Sequence, residues 1–298
     1  MVGKIHKVCS QGITLLGREL AVSWQFVAGD LSSAVVPPFL FMFAAWRTAG
    51  AQWTALPVIL LQEIVYFWLY IYGFCLANQL VGITEDRENK PHRPLVRGVI
   101  SPRGAWHRWL VVMALFDILA VSFGVLKYAF IWQLIIVVHN FAQGAKNWFI
   151  KHISMSIGIV VQLAAAWSII TPITPIAWRW ILLPASVIFP LVTLQDLRDV
   201  EGDTKAGRKT VPILLGQTIT RMFLSVGFVI LPLVVHYLVM VPAGSNWRVW
   251  FFDILLALCS LLIAVRVFLL RTRLADHHSY LLLTYWYCLF TFSAVMVL

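Results

Sequence analysis

Acidic residues are scarce in this chain of 298: thirteen Asp and Glu stand against twenty-three Lys and Arg, and charge of both signs makes up only 12%. With 60% apolar residues, fourteen Trp, nineteen Phe and a mean hydropathy of +0.83, that scarcity excludes an ordinary soluble globular domain. Cysteine is sparse too. Cys9, Cys75, Cys259 and Cys288 form no CxxC or metal spacing, and three of them sit in apolar runs, as small core residues do. The opening stretch MVGKIHKVCSQGITLLGREL lacks a compact apolar core followed by a small-residue cleavage site. Residues 1–25 are therefore expected to form an amphipathic lead-in to a single domain over 1–298, since nothing marks a second one.

What remains is an all-α integral membrane protein. Runs of about twenty residues with few or no charges, bordered by Trp and Tyr, are what a helix crossing a bilayer requires. They predict nine spans, at 31–50, 56–81, 107–126, 128–146, 153–171, 178–197, 220–241, 249–270 and 277–298. Basic residues test that parity, because positive loops stay cytoplasmic. With nine spans, eighteen of the twenty-three Lys and Arg fall on one side, Arg47, Lys127, Arg179 and Arg248 on the other, and Arg266 inside a helix. The net charge of +10 thus reads as topology and attraction to anionic lipid and ligand, with no nucleic acid and no obligate protein partner implied.

Seven of the thirteen acids crowd into two windows at cytoplasmic helix ends: Glu85, Asp86 and Glu88, then Asp196, Asp199, Glu201 and Asp203. Asp196, Asp199 and Asp203 stand at i, i+3 and i+7 and share one helical face, where they would repel unless something positive sits among them. Asn78, Gly82 and Asp86 stand at i, i+4 and i+8, with Glu85 and Asn89 beside them, and Gly82 leaves room for a ligand. Carboxylate and amide oxygens suit a hard divalent cation, and Mg²⁺ prefers a few carboxylates plus a substrate's phosphates. The interleaved Arg87, Lys90, Arg93, Arg97, Lys205, Arg208 and Lys209 add donors for phosphate oxygens. Pro91, Pro94, Pro102, Gly202 and Gly207 are expected to break the helices into loops over the site. One such window alone reads as a solvated loop; two on one membrane face, each with a helical triad, read as a shared metal and polyanion site.

These windows resemble the UbiA superfamily of intramembrane prenyltransferases. Asn78, Asp86, Arg87, Asn89, Lys90, Pro91, Arg93 and Pro94 match its N-D-x-x-D-x-x-x-D and R-x-N-K-P-x-R-P pattern. Asp196, Asp199, Asp203, Lys205, Gly207 and Thr210 to Gly216 match its second motif and tail. The resemblance implies a bundle with a lateral cavity, where Asn78, Glu85, Asp86, Asp196, Asp199 and Asp203 hold Mg²⁺. It also implies that Arg87, Lys90, Arg93, Lys146 and Lys205 hold an isoprenoid diphosphate. Lys146 takes the place of a family lysine, although a snorkelling interfacial lysine reads equally well. The first motif departs from the transferase pattern at Gln79 and Gly82, and in this it looks like fungal UbiA-type terpene cyclases of the cyathane and bergamotene type, as does FVAGDLSSAVVPP. That resemblance points to the endoplasmic reticulum, with the Golgi or a bacterial-type membrane as alternatives, while the basic residues place the motif loops on the cytoplasmic side.

The expected reaction starts with ionisation, Asn78, Asp86, Asp196 and Asp199 carrying it. Attack by the chain's own double bonds makes a cyclase; attack by an aromatic or lipid acceptor makes a transferase. The expectation is cyclisation of geranylgeranyl diphosphate, or farnesyl diphosphate second. Trp68, Tyr72, Phe141 and Trp167 lead the candidates for an aromatic cavity wall, with Phe74, Trp148, Phe189, Tyr285 and Trp286 behind them, although packing is the commoner role for any one. His139, His236 and Asp253 are polar groups in or near spans, open to proton transfer or to interhelical contact. A transporter is disfavoured, because Glu63, Asp117 and Asp253 are isolated while the other acids gather at one face.

Overall fold

The computed structural model describes residues 2–298, with side chains from Thr14 onward except those of Leu16, Glu88 and Asn89. Cys9, much of the expected lead-in, and Glu88 and Asn89 of the first window therefore lie outside the described side chains. Hydrocarbon offers no partner to a bare backbone, so an apolar chain must satisfy its own N–H and C=O groups as helix. The described residues form α1 (Val2–Val27), α2 (Leu31–Ala34), α3 (Val36–Thr48), α4 (Leu56–Asn89), α5 (Pro102–Ser122), α6 (Leu126–Ile136) and α7 (Trp148–Ser168). There follow α8 (Pro175–Leu191), α9 (Thr193–Lys205), α10 (Val211–Leu215), α11 (Gln217–Val235), α12 (Val241–Ala243), α13 (Trp247–Leu269) and α14 (Arg273–Val297).

Seven helical runs are long and apolar enough to cross a membrane, at Trp53–Arg87, Pro102–Ser122, Trp148–Ser168, Pro175–Lys205, Gln217–Ala243, Trp247–Leu269 and Arg273–Val297. The other two expected spans are present in altered form. Leu31–Thr48 meets Gly17–Val27 at an 86° bend, and Leu126–Phe141 is short. The latter ends in a π-helical turn, Val137–Phe141, after which Gln143 takes a left-handed backbone with φ 57°. Lys146 consequently sits in a separate turn, Gly144–Lys146, and not on the helix end expected for it.

Both charged windows are more helical than expected. The α4 helix runs on to Asn89, and α9 passes through Gly202 to Lys205 before Gly207, at φ 65°, turns the chain. Gly202 is thus not a breaker: in the last turn of a helix packed through Leu194 and Leu197 the lost propensity of one glycine is outweighed. Pro102 opens α5 instead of interrupting anything, and the Ser101 side chain accepts a hydrogen bond from the Gly104 N–H there.

The interior is aromatic. Trp286 stacks on Phe290 with ring centroids 5.5 Å apart, Trp180 leans on Phe290, and Trp167 packs against Phe41, all buried. Ile230, Leu233, Ile254 and Leu258 on α11 and α13 are exposed apolar side chains, the surface that lipid covers. One buried clasp ties the last helices: Arg221 of α11 donates to both carboxylate oxygens of Asp276 of α14 at 2.7 Å and to the carbonyl of Leu270 at 3.1 Å. Arg221→Ala strands Asp276, and is expected to cost about 3–5 kcal/mol of stability. The readout is the thermal midpoint in detergent, where Arg221→Met with Asp276→Leu should recover most of the loss. A single variant as stable as the parent would contradict this.

Candidate active site

A cavity of about 1210 Å³ lies among α2, α4, α7, α9 and α14. Its long wall is one stripe of α4. Tyr70, Phe74, Asn78, Gly82 and Asp86 recur every four residues and all line it, so a single helical face runs from an aromatic region to a charged mouth. Gly82 belongs to this stripe because a larger side chain would fill the space in front of it. A Cβ there would meet Asp86 Oδ2 at 3.7 Å, ordinary contact, so the glycine reflects room beyond Cβ and not a backbone requirement.

At the mouth the carboxylates are held by cations of the chain itself. Arg93 donates to Asp86 at 2.6 Å and to the Asn78 carbonyl oxygen at 3.0 Å, while the Asn78 amide donates to Asn140 at 3.2 Å. Arg198 forks onto Asp199 through 3.0 and 2.9 Å bonds and touches His277 Nδ1 at 3.1 Å. Asp196 is fully buried, accepting from Lys151 and lying 3.4 Å from His152 Nε2. Arg208 reaches Glu85 at 2.9 Å and Asp203 at 3.2 Å, so one guanidinium joins the first window to the second. A short backbone pairing of Asn147 with Lys209 brings the Lys146 turn to the same place.

The lining holds Lys90, Arg93, Lys146, Lys151, Arg198, Arg208 and Arg273 against Asp30, Glu85, Asp86 and Asp199, a surplus of three positive charges that favours an anionic ligand. Lys90 shows the strain of that crowding. Burial, and then the Arg93 guanidinium, push its ammonium below the usual lysine range, although Asp199 and Asp86 oppose the shift. Two oxygens near the mouth are buried with no hydrogen-bond partner, Gln79 Oε1 and Asp203 Oδ2. Among the described residues, no three His, Cys, Asp or Glu side chains converge as a ready metal cluster; the carboxylates at the mouth are turned toward Arg93, Arg198, Arg208 and Lys151.

Asn78, Glu85, Asp86, Lys90, Arg93, Lys146 and Asp199 are thus gathered on one cavity. Asp196 and Asp203 stand behind its wall. Arg87 and Lys205 do not reach it; both are exposed, and Lys205 pairs with Glu201 at 3.3 Å. All four leading aromatic candidates need correction, since none lines the cavity. Trp68 bonds Ser23 and stacks on Trp24, Tyr72 packs its edge on Phe26, Phe141 stacks on Trp106, and Trp167 is sealed against Phe41. Trp68 and Tyr72 are each two residues out of phase with the Tyr70–Phe74 stripe, which turns them to other faces of α4.

The wall consists instead of Phe26, Tyr70, Phe74, Trp132, Tyr280 and Tyr287. Tyr70 and Trp132 stack 4.1 Å apart at an interplanar angle of 7°, and Tyr70 Oη donates to the Gly158 carbonyl at 3.0 Å. A side chain at Gly158 would collide with Trp132 at 2.8 Å, so this glycine seats the pair. Lys151, Arg198 and His277 were also missed. The lysine lies five residues beyond Lys146 in the same KNWFIK segment and Arg198 lies between two motif aspartates, so adjacency to the motifs was the available signal. Asp253 and His236 pair with each other at 2.6 Å beside a separate cavity of about 250 Å³, whereas His139 lines the main one.

A helical membrane bundle enclosing a cavity with a charged mouth and an aromatic wall is an enzyme architecture rather than a conduit, since its ionisable groups collect at one end. The chain belongs to the UbiA prenyltransferase family, whose model matches residues 24–292. It is 42% identical over 277 residues to somaliensene A/B synthase of Streptomyces somaliensis, covering 91% of each chain. It is 31% identical to diterpene cyclase eriG of Hericium erinaceus, covering 92% of this chain and 87% of that one. The fold is also similar to that of a UbiA homolog from Archaeoglobus fulgidus solved with GPP and Mg²⁺, with a TM-score of 0.69 at 17% identity, covering 93% of this chain and 100% of that one.

Gly82 provides a test of the mouth. Gly82→Ala is expected to add roughly 0.8–1 kcal/mol of helix stability, and Gly82→Leu to keep the gain while blocking inorganic pyrophosphate. The thermal midpoint and calorimetric titration read the two effects. Unchanged pyrophosphate affinity in Gly82→Leu would place the ligand elsewhere.

Proposed function

We propose that this protein is a membrane-embedded terpene cyclase that ionises a linear isoprenoid diphosphate, closes rings on the resulting carbocation and releases diphosphate. The observation that carries the reading is the α4 stripe, which leads without interruption from the Tyr70 and Phe74 rings to Asn78 and Asp86. A substrate with an apolar chain and a polyanionic head has the same polarity along its length. The similarity to a synthase and a cyclase supports the same assignment.

The roles follow from chemistry. Arg93, Lys90, Lys146, Lys151 and Arg198 would grip the phosphate oxygens, Arg by its planar fork and Lys as a point charge. The oxygens of Asn78, Glu85, Asp86 and Asp199, with the unpartnered Asp203 Oδ2 behind them, are donors of the kind a hard cation takes. Bound Mg²⁺ would supply Lewis-acid neutralisation of the charge growing on the departing diphosphate. Asp196, held by Lys151 and His152, would position Lys151 rather than touch substrate. As the allylic C–O bond breaks, the faces of Tyr70, Phe74, Trp132, Tyr280 and Tyr287 would stabilise the passing cation and keep water away. Geranylgeranyl diphosphate is the first substrate expected and farnesyl diphosphate the second.

The Lys and Arg distribution supports motif ends that face the cytoplasm. An endoplasmic reticulum location rests on the fungal resemblance alone, and the 42% relative comes from a Streptomyces.

The purified protein, given Mg²⁺ with farnesyl or geranylgeranyl diphosphate and no acceptor, is expected to release diphosphate and form a cyclic hydrocarbon, read by gas chromatography of the extract. Turnover that waits for an added phenol would make it a transferase instead. Asp86→Ala and Asp199→Ala should each slow diphosphate release by roughly 10²-fold or more, and chelation of divalent cations should stop it.

A further inference from the structure

A cyclised cation leaves as a hydrocarbon only after it has lost a proton, and the wall of the cavity offers few places for that proton. Its acids are engaged: Asp86 by Arg93, Asp199 by Arg198, Glu85 by Arg208. His277 is held on Arg198, His92 is exposed in the loop after α4, and Asp30, on the exposed bend after α1, faces the Cys75 thiol at 3.4 Å. His139 differs from all of these. It is 5% exposed, lines the cavity, and its Nδ1 makes no hydrogen bond. Its ring centroid lies 5.3 Å from that of Phe74, between the aromatic wall and the mouth.

The backbone accounts for this placement. The α6 helix closes in the π-helical turn Val137–Phe141, a distortion that turns two consecutive residues to the same cavity. One of them, Asn140, is tied to Asn78 at 3.2 Å and to the Ile136 carbonyl at 3.2 Å. The other, His139, is left with a free ring edge.

We propose that His139 is the base that ends the reaction. This rests on the cyclase reading. The C–H bond adjacent to the final cationic carbon breaks, its electron pair becomes the new C=C bond, and the proton moves to the lone pair that either neutral imidazole tautomer retains. The imidazolium then passes the proton to an oxygen of the departing diphosphate at the mouth. Diphosphate leaves carrying the proton, the hydrocarbon leaves neutral, and His139 is restored.

The test separates this step from ionisation. Wild-type enzyme with geranylgeranyl diphosphate, Mg²⁺ and no acceptor must first yield a cyclic hydrocarbon; failure there removes the cyclase reading, and with it the role of His139. Given that product, His139→Gln and His139→Gly are expected to release diphosphate within a fewfold of wild type. Their ratio of parent hydrocarbon to alternative olefins and water-quenched alcohols should fall by roughly 10²-fold, the low end for a positioned acid–base group. In His139→Gly, added imidazole should restore the parent product, and pyrazole, of the same size but weakly basic, should not. Equal rescue by both heterocycles would show that the ring only shapes the cavity. An unchanged product ratio in His139→Gln, or a comparable shift confined to Asp30→Asn or His92→Gln, would overturn the assignment.

Discussion

Hydrocarbon cannot solvate an unpaired charge, and that constraint organises the whole molecule. Each buried carboxylate at the charged end of the bundle is met by a cation from elsewhere in the chain: Asp86 by Arg93, Asp196 by Lys151, Asp276 by Arg221. Arg208 goes further, holding Glu85 of α4 and Asp203 of α9 together. Through that one side chain, two windows 118 residues apart (Asn78 to Asp196) border a single cavity. The same pairs set the electrostatic state of the mouth, where fixed cations exceed carboxylates and a polyanion completes the balance.

The division between mouth and wall follows from one helix. Because α4 extends to Asn89 instead of ending near residue 81, its cavity face carries aromatic, amide, glycine and carboxylate positions in a fixed four-residue rhythm. The aromatic part of the lining is held with equal economy. Tyr70 is locked by Gly158 and Trp132, and Gln162 of α7 receives the Tyr287 hydroxyl at 3.0 Å while donating to the Ala34 carbonyl at 2.7 Å. Aromatic rings held this way keep their faces fixed while a flexible chain folds against them, the preorganisation that carbocation chemistry needs.

Much of this was legible beforehand. Charge-free runs predict most of the helices, because a bilayer imposes a length and polarity that single segments must meet alone; the ends of the two charged windows, at Asn89 and Lys205, lie beyond the predicted ones. The two acidic windows point to a shared site, because ionisable groups at membrane depth are costly and gather where they are used. The aromatic wall was not legible. In a chain with this many Trp, Phe and Tyr, burial against a neighbouring helix and exposure to a cavity demand the same composition, and Trp68, Tyr72, Phe141 and Trp167 proved to be packing residues. Gly202 misled for a related reason, since packing against neighbours overrides a local breaker.

By itself the amino-acid order determined most of the spans and the two motif windows, properties of local composition measured against a bilayer. Tertiary structure alone decided which cation meets which carboxylate, that Asp196 lies behind the wall while Asp199 lines it, and that Tyr70, Trp132 and Tyr287 surround the cavity. Those outcomes depend on helical phase and on which neighbour each face meets, and both are settled only when the bundle packs.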